Sequence, residues 1–149
     1  MEDLVVEAED FSHILVGVDD SADAQLAFRY AMHRAKADQA ELTIVSILEK
    51  GDMNVYQALN KDYIHGKRED LEKRVQVYRK TALNYGVTKV KTIVSEGEPG
   101  ETIVKDIIPH TNADLLIIGS EDKRGISRHF GSQAAYMAKY ATISVLVVR

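Results

Sequence analysis

Cysteine and tryptophan are absent from this chain, and proline occurs only twice. Without a thiolate there is no disulfide framework, no thiol nucleophile, no iron–sulfur cluster and no zinc site built on sulfur. The lack accords with a reducing compartment. At 149 residues a chain buries roughly 70% of the surface it exposes when unfolded, so it needs neither a disulfide nor a structural metal to fold. That length suits one domain, residues 1–149. An excess of either charge is missing too. Nineteen basic against 23 acidic residues leave a net charge of -4, which gives no global reason to expect nucleic acid as a partner. The longest uninterrupted aliphatic runs, such as Leu115 to Ile118, cover four residues, against about 20 for a membrane span. Residues 1–10 hold five carboxylates and no Lys or Arg, the reverse of a signal peptide's basic start. The expectation is a cytoplasmic protein with an acidic N-terminal extension and no membrane contact.

What the sequence does contain is a regular alternation. Ile14 to Val18, Leu115 to Ile118 and Val145 to Val148 are short, β-branched and apolar throughout, the pattern of strands buried on both faces. Leu42 to Ile47 and Val90 to Val94 complete a set of five. Helical patterns lie between them, so the strands are expected to run parallel, joined by helical crossovers. After Asp20 and Ser21, both good N-cap types, small apolar residues recur from Ala24 through Ala35 at helical spacing. A second stripe, Leu71, Val75, Tyr78, Ala82 and Tyr85, stops at Gly86, where a left-handed cap is wanted. A third helix starts at Pro99 and should end near Pro109, which has no amide proton to continue the ladder. A fourth covers about Ser132 to Lys139, with Ser132 as its expected N-cap. Residues 50–66 are polar and weakly periodic and read as a long loop, either functional or merely variable.

In an open parallel sheet, ligands sit beyond the carboxyl ends of the strands, where successive crossovers leave to opposite faces. Two segments fall there: Asp19-Asp20-Ser21 after the first strand, and Gly119 through Ser132 after the fourth. The second carries Gly119, Gly125 and Gly131 together with Lys123, Arg124 and Arg128. Glycines let backbone amides approach an anion, and a helix starting at Gly131-Ser132 would aim its positive end at one. A glycine-rich turn with solvated charges has the same spacing. The histidines show no close ligand spacing, so no metal site is expected. There is no G-x-S-x-G elbow, and nothing in the pattern must act as a general base. Residues 67–75 interleave both charges, as on a solvated helix face.

Taken together, these residues resemble the universal stress protein family. The likeness rests on Ile14 to Ser21 with its following helix, the turn Ser95 to Pro99, the run Ala113 to Ser120, and the ending from Gly131-Ser132 to Arg149. The resemblance implies an α/β three-layer sandwich, a five-stranded parallel sheet with helices on both faces, Rossmann-like and of the adenine nucleotide alpha hydrolase type. It also implies a cytoplasmic homodimer, joined through the last strand (Ile143 to Val148), that serves in the stress response. In nucleotide-binding members the motif is G-x2-G-x9-G-[ST]. Here Asp122 stands at the second glycine, and eight residues separate it from Gly131. The motif is therefore degenerate, although Gly125 can take over part of the missing glycine's role. By the same resemblance Asp19 would meet the ribose and Ile47 the adenine edge. Gly119, Ser120, Gly125, Arg128, Gly131 and Ser132 would surround the phosphates of ATP, with Mg or Mn arriving on the nucleotide. Catalysis is expected to be at most slow ATP hydrolysis. The alternative is a dimeric interaction protein of the same fold that binds no nucleotide.

Overall fold

The computed structural model describes residues 3–6, 9–19, 21–51, 53–120 and 131–149. Five strands form one sheet, β1 (His13–Gly17), β2 (Glu41–Leu48), β3 (Val90–Glu96), β4 (Leu115–Gly119) and β5 (Ser144–Val148). Their order is β3-β2-β1-β4-β5, and every neighbouring pair is parallel. This is the doubly wound arrangement expected from the alternation of short apolar runs with helical stripes.

Side chains alternate across the sheet and make two cores. On one face Ile14, Val16, Leu42, Ile44 and Ile117 pack with Ala27, Phe28 and Ala31 of α1 (Ala22–Asp38) and with Val75 and Ala82 of α3 (Lys61–Tyr85). On the other face Leu15, Val45, Leu116 and Ile118 meet Ile103, Ala134 and Met137, the last two from α5 (Ser132–Tyr140). Burying a residue such as Phe28 is worth roughly 1.5–3 kcal/mol, so these stripes fix which way each helix faces. Among the described residues no helix is long and apolar enough to cross a membrane.

Two local features differ from the sequence reading. Residues 50–66 are not one long loop. They contain α2 (Val55–Leu59) and the first turn and a half of α3. Asn54 and Gln57 form a reciprocal capping box, and the Asn60 side chain accepts from the amides of Asp62 and Tyr63. Caps rather than an apolar stripe start these helices, because no α2 residue is buried. In addition, Ser132 does not cap α5. Gly131 is the N-cap residue, no side chain of the described residues caps the helix, and Ser132 is the first helical residue.

The third helix keeps its expected limits but changes its winding. It begins as α4 (Pro99–Thr102), relaxes into a π-helical turn over Ile103–Ile107 and tightens into a 3-10 turn at Ile108–His110. Pro109 cannot donate to the carbonyl four residues back, which ends the regular ladder.

Candidate functional site

The order β3-β2-β1-β4-β5 puts the switch point between β1 and β4, and a cavity of about 270 Å³ lies there, beyond the carboxyl ends of β1, β2 and β4. Its apolar wall is made by Val45, Ile47, Ile103, Ile118 and Met137. Ser132, Gln133 and Ala134, the first three residues of α5, also line it. Because Gly131 has no capping side chain and no other described residue caps α5, its first-turn amides supply donors and a positive dipole end at this wall. Asp19, Glu49 and Glu98 are the charged side chains among the described lining residues.

Asp19 follows β1 directly. Its Oδ1 accepts from the Ser21 amide at 2.7 Å, while the Ser21 hydroxyl accepts from the Ala24 amide at 3.1 Å and caps α1. The capping work thus falls to Ser21. Among the described residues nothing donates to the other Asp19 oxygen, so that acceptor is available to hydroxyl donors of a ligand. Ile47 presents its side chain to the same cavity, and its place in β2 opposite Ser95 of β3 fixes its backbone.

Gly119 and Ser120 connect β4 to the surrounding helices. A Cβ added to Gly119 would lie 2.8 Å from the Ala24 nitrogen and 2.8 Å from the Asp23 carbonyl carbon, so glycine here lets α1 pass against the strand end. The Ser120 hydroxyl donates to Asp23 Oδ2 at 2.7 Å, its amide donates to Val148 at 2.8 Å, and its carbonyl accepts from Gly131 at 2.7 Å. Ser120 is buried and joins β4, β5, α1 and the start of α5. Gly119 lines the cavity together with Asp19, Ile47 and Ser132, whereas Gly131 is the buried cap residue behind Ser132. Gly125 and Arg128, like Asp122 and Asp20, lie outside the described residues.

Gln133 was not singled out in the sequence. Its Oε1 accepts from the Gly100 amide at 2.8 Å, and its Nε2 donates to Glu98 Oε2 at 3.1 Å. Glu98, the N-cap residue of α4, makes no capping bond of its own. Gln133 therefore supplies that cap from another helix and ties Glu98 to the cavity wall. The available signal was the Glu98-Pro99 start, which offers none of the usual capping side chains and so calls for an outside acceptor. The turn before it needs glycine, since Gly97 has φ +136 and an added Cβ would lie 2.6 Å from Thr102 Oγ1.

Among the described residues no group of three His, Cys, Asp or Glu side chains is arranged to hold a metal ion.

Comparison with known proteins agrees with this fold. A model of the universal stress protein family matches residues 10–149. A protein of Staphylococcus aureus strain USA300, named for that family, is 31% identical over 140 residues, covering 93% of this chain and 84% of that protein. The universal stress protein UspA from Lactobacillus plantarum has a similar fold, with a TM-score of 0.85 at 24% identity over 95% of this chain and 100% of that one. The universal stress protein from Archaeoglobus fulgidus in complex with dAMP gives a TM-score of 0.64 at 24% identity, covering 93% and 98% of the two chains.

Proposed function

Because the chain belongs to the universal stress protein family, we propose that it is a cytoplasmic stress-response module that binds an adenine nucleotide of the ATP type in the cavity between β1 and β4. The observation that carries this reading is the cavity itself. It joins an apolar slot, a carboxylate at the end of β1 and an uncapped helix start. The three parts suit a base, a ribose and a phosphate. The Archaeoglobus fulgidus protein of similar fold holds dAMP, a ligand of this chemistry. In this assignment Asp19 accepts from ribose hydroxyls, the β2 end near Ile47 reads the adenine edge, and Ser132 with the α5 amides holds phosphate. Gly119, Ser120 and Gly131 keep those groups in register, and Gly125 and Arg128 complete the phosphate side. Mg or Mn would accompany the phosphates and shield their charge. We also assign a two-chain assembly joined along β5.

A second reading has one observation in its favour. The charged side chains of the described cavity wall are all carboxylates, which repel phosphate, so a dimeric interaction protein without nucleotide remains the competing assignment. Thermal unfolding with and without millimolar ATP and magnesium separates the two. Ligand at a hundred times its dissociation constant stabilises by roughly 2.7 kcal/mol, about 5–10 °C for a domain of this size. The nucleotide reading expects that shift, and expects Asp19→Ala to weaken binding on the order of ten- to a hundredfold. Unchanged melting with ATP, dAMP and ATP plus manganese would favour the interaction protein.

A further inference from the structure

The sheet has two edges, and they are built differently. At the β3 edge, the Lys89 carbonyl is taken by the Leu42 amide and the Gly97 amide bonds Leu48. Odd-numbered positions of β3 therefore face β2, and the backbone of Val90, Thr92 and Val94 faces outward. Two of the outward carbonyls are occupied and the strand between them is covered. Arg68 Nη2 donates to the Val94 carbonyl at 2.9 Å, Arg79 Nε donates to the Val90 carbonyl at 3.2 Å, and Gln76 Nε2 donates to Thr92 Oγ1 between them at 3.3 Å. All three donors come from α3. Arg68 is itself held by Glu72 at 3.3 Å and by Glu96 at 3.4 Å, so its guanidinium is fixed over the strand. The strand also carries Lys91, paired with Glu41 at 2.8 Å.

The β5 edge has none of this. The Val148 carbonyl accepts from Ser120, so even positions face β4 and the backbone of Val145 and Val147 faces outward. Among the described residues no side chain donates to either carbonyl. The strand Ser144–Val148 has no charged residue, and Leu146 is 42% exposed. An uncharged edge with free carbonyls invites another strand, whereas charges and occupied carbonyls discourage one.

We propose that α3 guards the β3 edge, with Arg68 and Arg79 holding the carbonyls that a joining strand would need, so that strand addition by a second copy of this chain is confined to β5. The consequence is closure. A two-fold contact along β5 uses up that edge in both copies and leaves two β3 edges at the ends of a ten-stranded sheet. If those ends were open, each pair would add to the next and the assembly would grow without limit. With them guarded, growth stops at one contact. The choice of β5 as the used edge rests on the two-chain assignment above, while the guarding of β3 does not.

The test compares the masses of the natural chain and the Arg68→Ala/Arg79→Ala variant by light scattering over a concentration series. The variant is expected to form species at least twice the natural mass, increasing with concentration, with an unchanged far-UV circular dichroism spectrum. Adding Thr92→Pro, which removes an outward amide donor at the same edge, should return the mass to that of the natural chain. A natively folded variant with the natural mass throughout, or growth that persists with Thr92→Pro, overturns the guard. Because the chain has no cysteine, single reporters give a second route if the arginine variant unfolds. Under mild oxidation, Leu146→Cys should cross-link between chains and Thr92→Cys should not. Cross-linking through position 92 in the arginine-intact chain also overturns the guard. A natural chain of monomer mass instead removes the two-chain assignment, and the guard is then judged on whether the variant grows beyond that monomer.

Discussion

Gly119 and Gly17 both end strands at the cavity, but space constrains them differently. A Cβ at Gly119 would sit 2.8 Å from two backbone atoms of α1, which cannot yield as a flexible side chain would. At Gly17 the nearest atoms are side-chain methyls of Ile118 and Ile103, at 3.5 and 3.7 Å, an ordinary contact distance. Gly119→Ala should therefore destabilise the fold by about 1–3 kcal/mol through overpacking. Gly17→Ala should cost well under that and narrow the cavity by one methyl. Urea denaturation of both variants checks the contrast, and equal midpoints would show that α1 can move away from β4 freely. This alters the meaning of the first glycine in the motif. Whatever Gly119 does for a ligand, helix packing alone already requires it.

At the scale of elements, legibility followed the source of each signal. β1 and β4 were readable because runs such as Leu115 to Ile118 are apolar at every position and buried on both faces, whereas Val145 to Val148, expected to be buried in the same way, lies at the sheet edge with Leu146 exposed. α1 was readable from its alanine-rich stripe, nearly all of which is buried. The stripe of α3 weakens toward its end, where Tyr85 is 41% exposed and instead lies beneath the Lys36 ammonium, 4.9 Å from the ring centroid. The first turns of α3 and all of α2 carried no stripe, so their only signals were Asn54 and Asn60. In the site, Asp19, Gly119 and Ser132 were legible from strand ends and glycine spacing, while Ile47 was named only through the family resemblance. The Gln133 link to Gly100 and Glu98 was not, because it joins residues 33 and 35 positions apart on separate helices.

The caps make the element reading testable. Asn60 serves two amides at once, those of Asp62 and Tyr63, at 3.0 and 3.1 Å. Asn60→Ala should lower stability by about 1 kcal/mol. Its effect should be local, seen as faster hydrogen exchange over residues 61–66 while the strands keep their protection. If exchange in those residues did not change, Asn60 would not be what starts α3.

For the whole molecule, acid stability should fall in two steps, because buried histidine and paired carboxylates titrate in different ranges. His13 sits at the start of β1 with its Nε2 2.7 Å from Thr43 Oγ1. Burial lowers its affinity for a proton, the Glu41 and Asp114 carboxylates work against that shift, and Lys91 and Lys89 add to it. The folded chain therefore keeps this ring neutral to lower pH than the unfolded chain does. Below the usual histidine value near 6.5, the unfolded state binds more protons and stability falls until the folded-state value is passed.

The carboxylates act later. The Lys91 ammonium, 2.8 Å from Glu41 Oε1 but poorly aligned for a hydrogen bond, holds Glu41 below the usual range, and Lys50 at 3.0 Å does the same for Glu96. Their stabilisation is complete above the unfolded glutamate value, about 4.3, and is lost as pH falls through the lowered folded values. His13→Gln removes the first step, while the second keeps its leading cause, the Lys91 ammonium beside Glu41. Urea midpoints at pH 7.5, 6.0 and 5.0 should therefore fall less steeply in His13→Gln than in the natural chain, whatever the variant loses at neutral pH from altered packing against Thr43. Parallel lines across that range would mean that His13 is protonated in both states or in neither, and the acid sensitivity would then belong to the carboxylates alone.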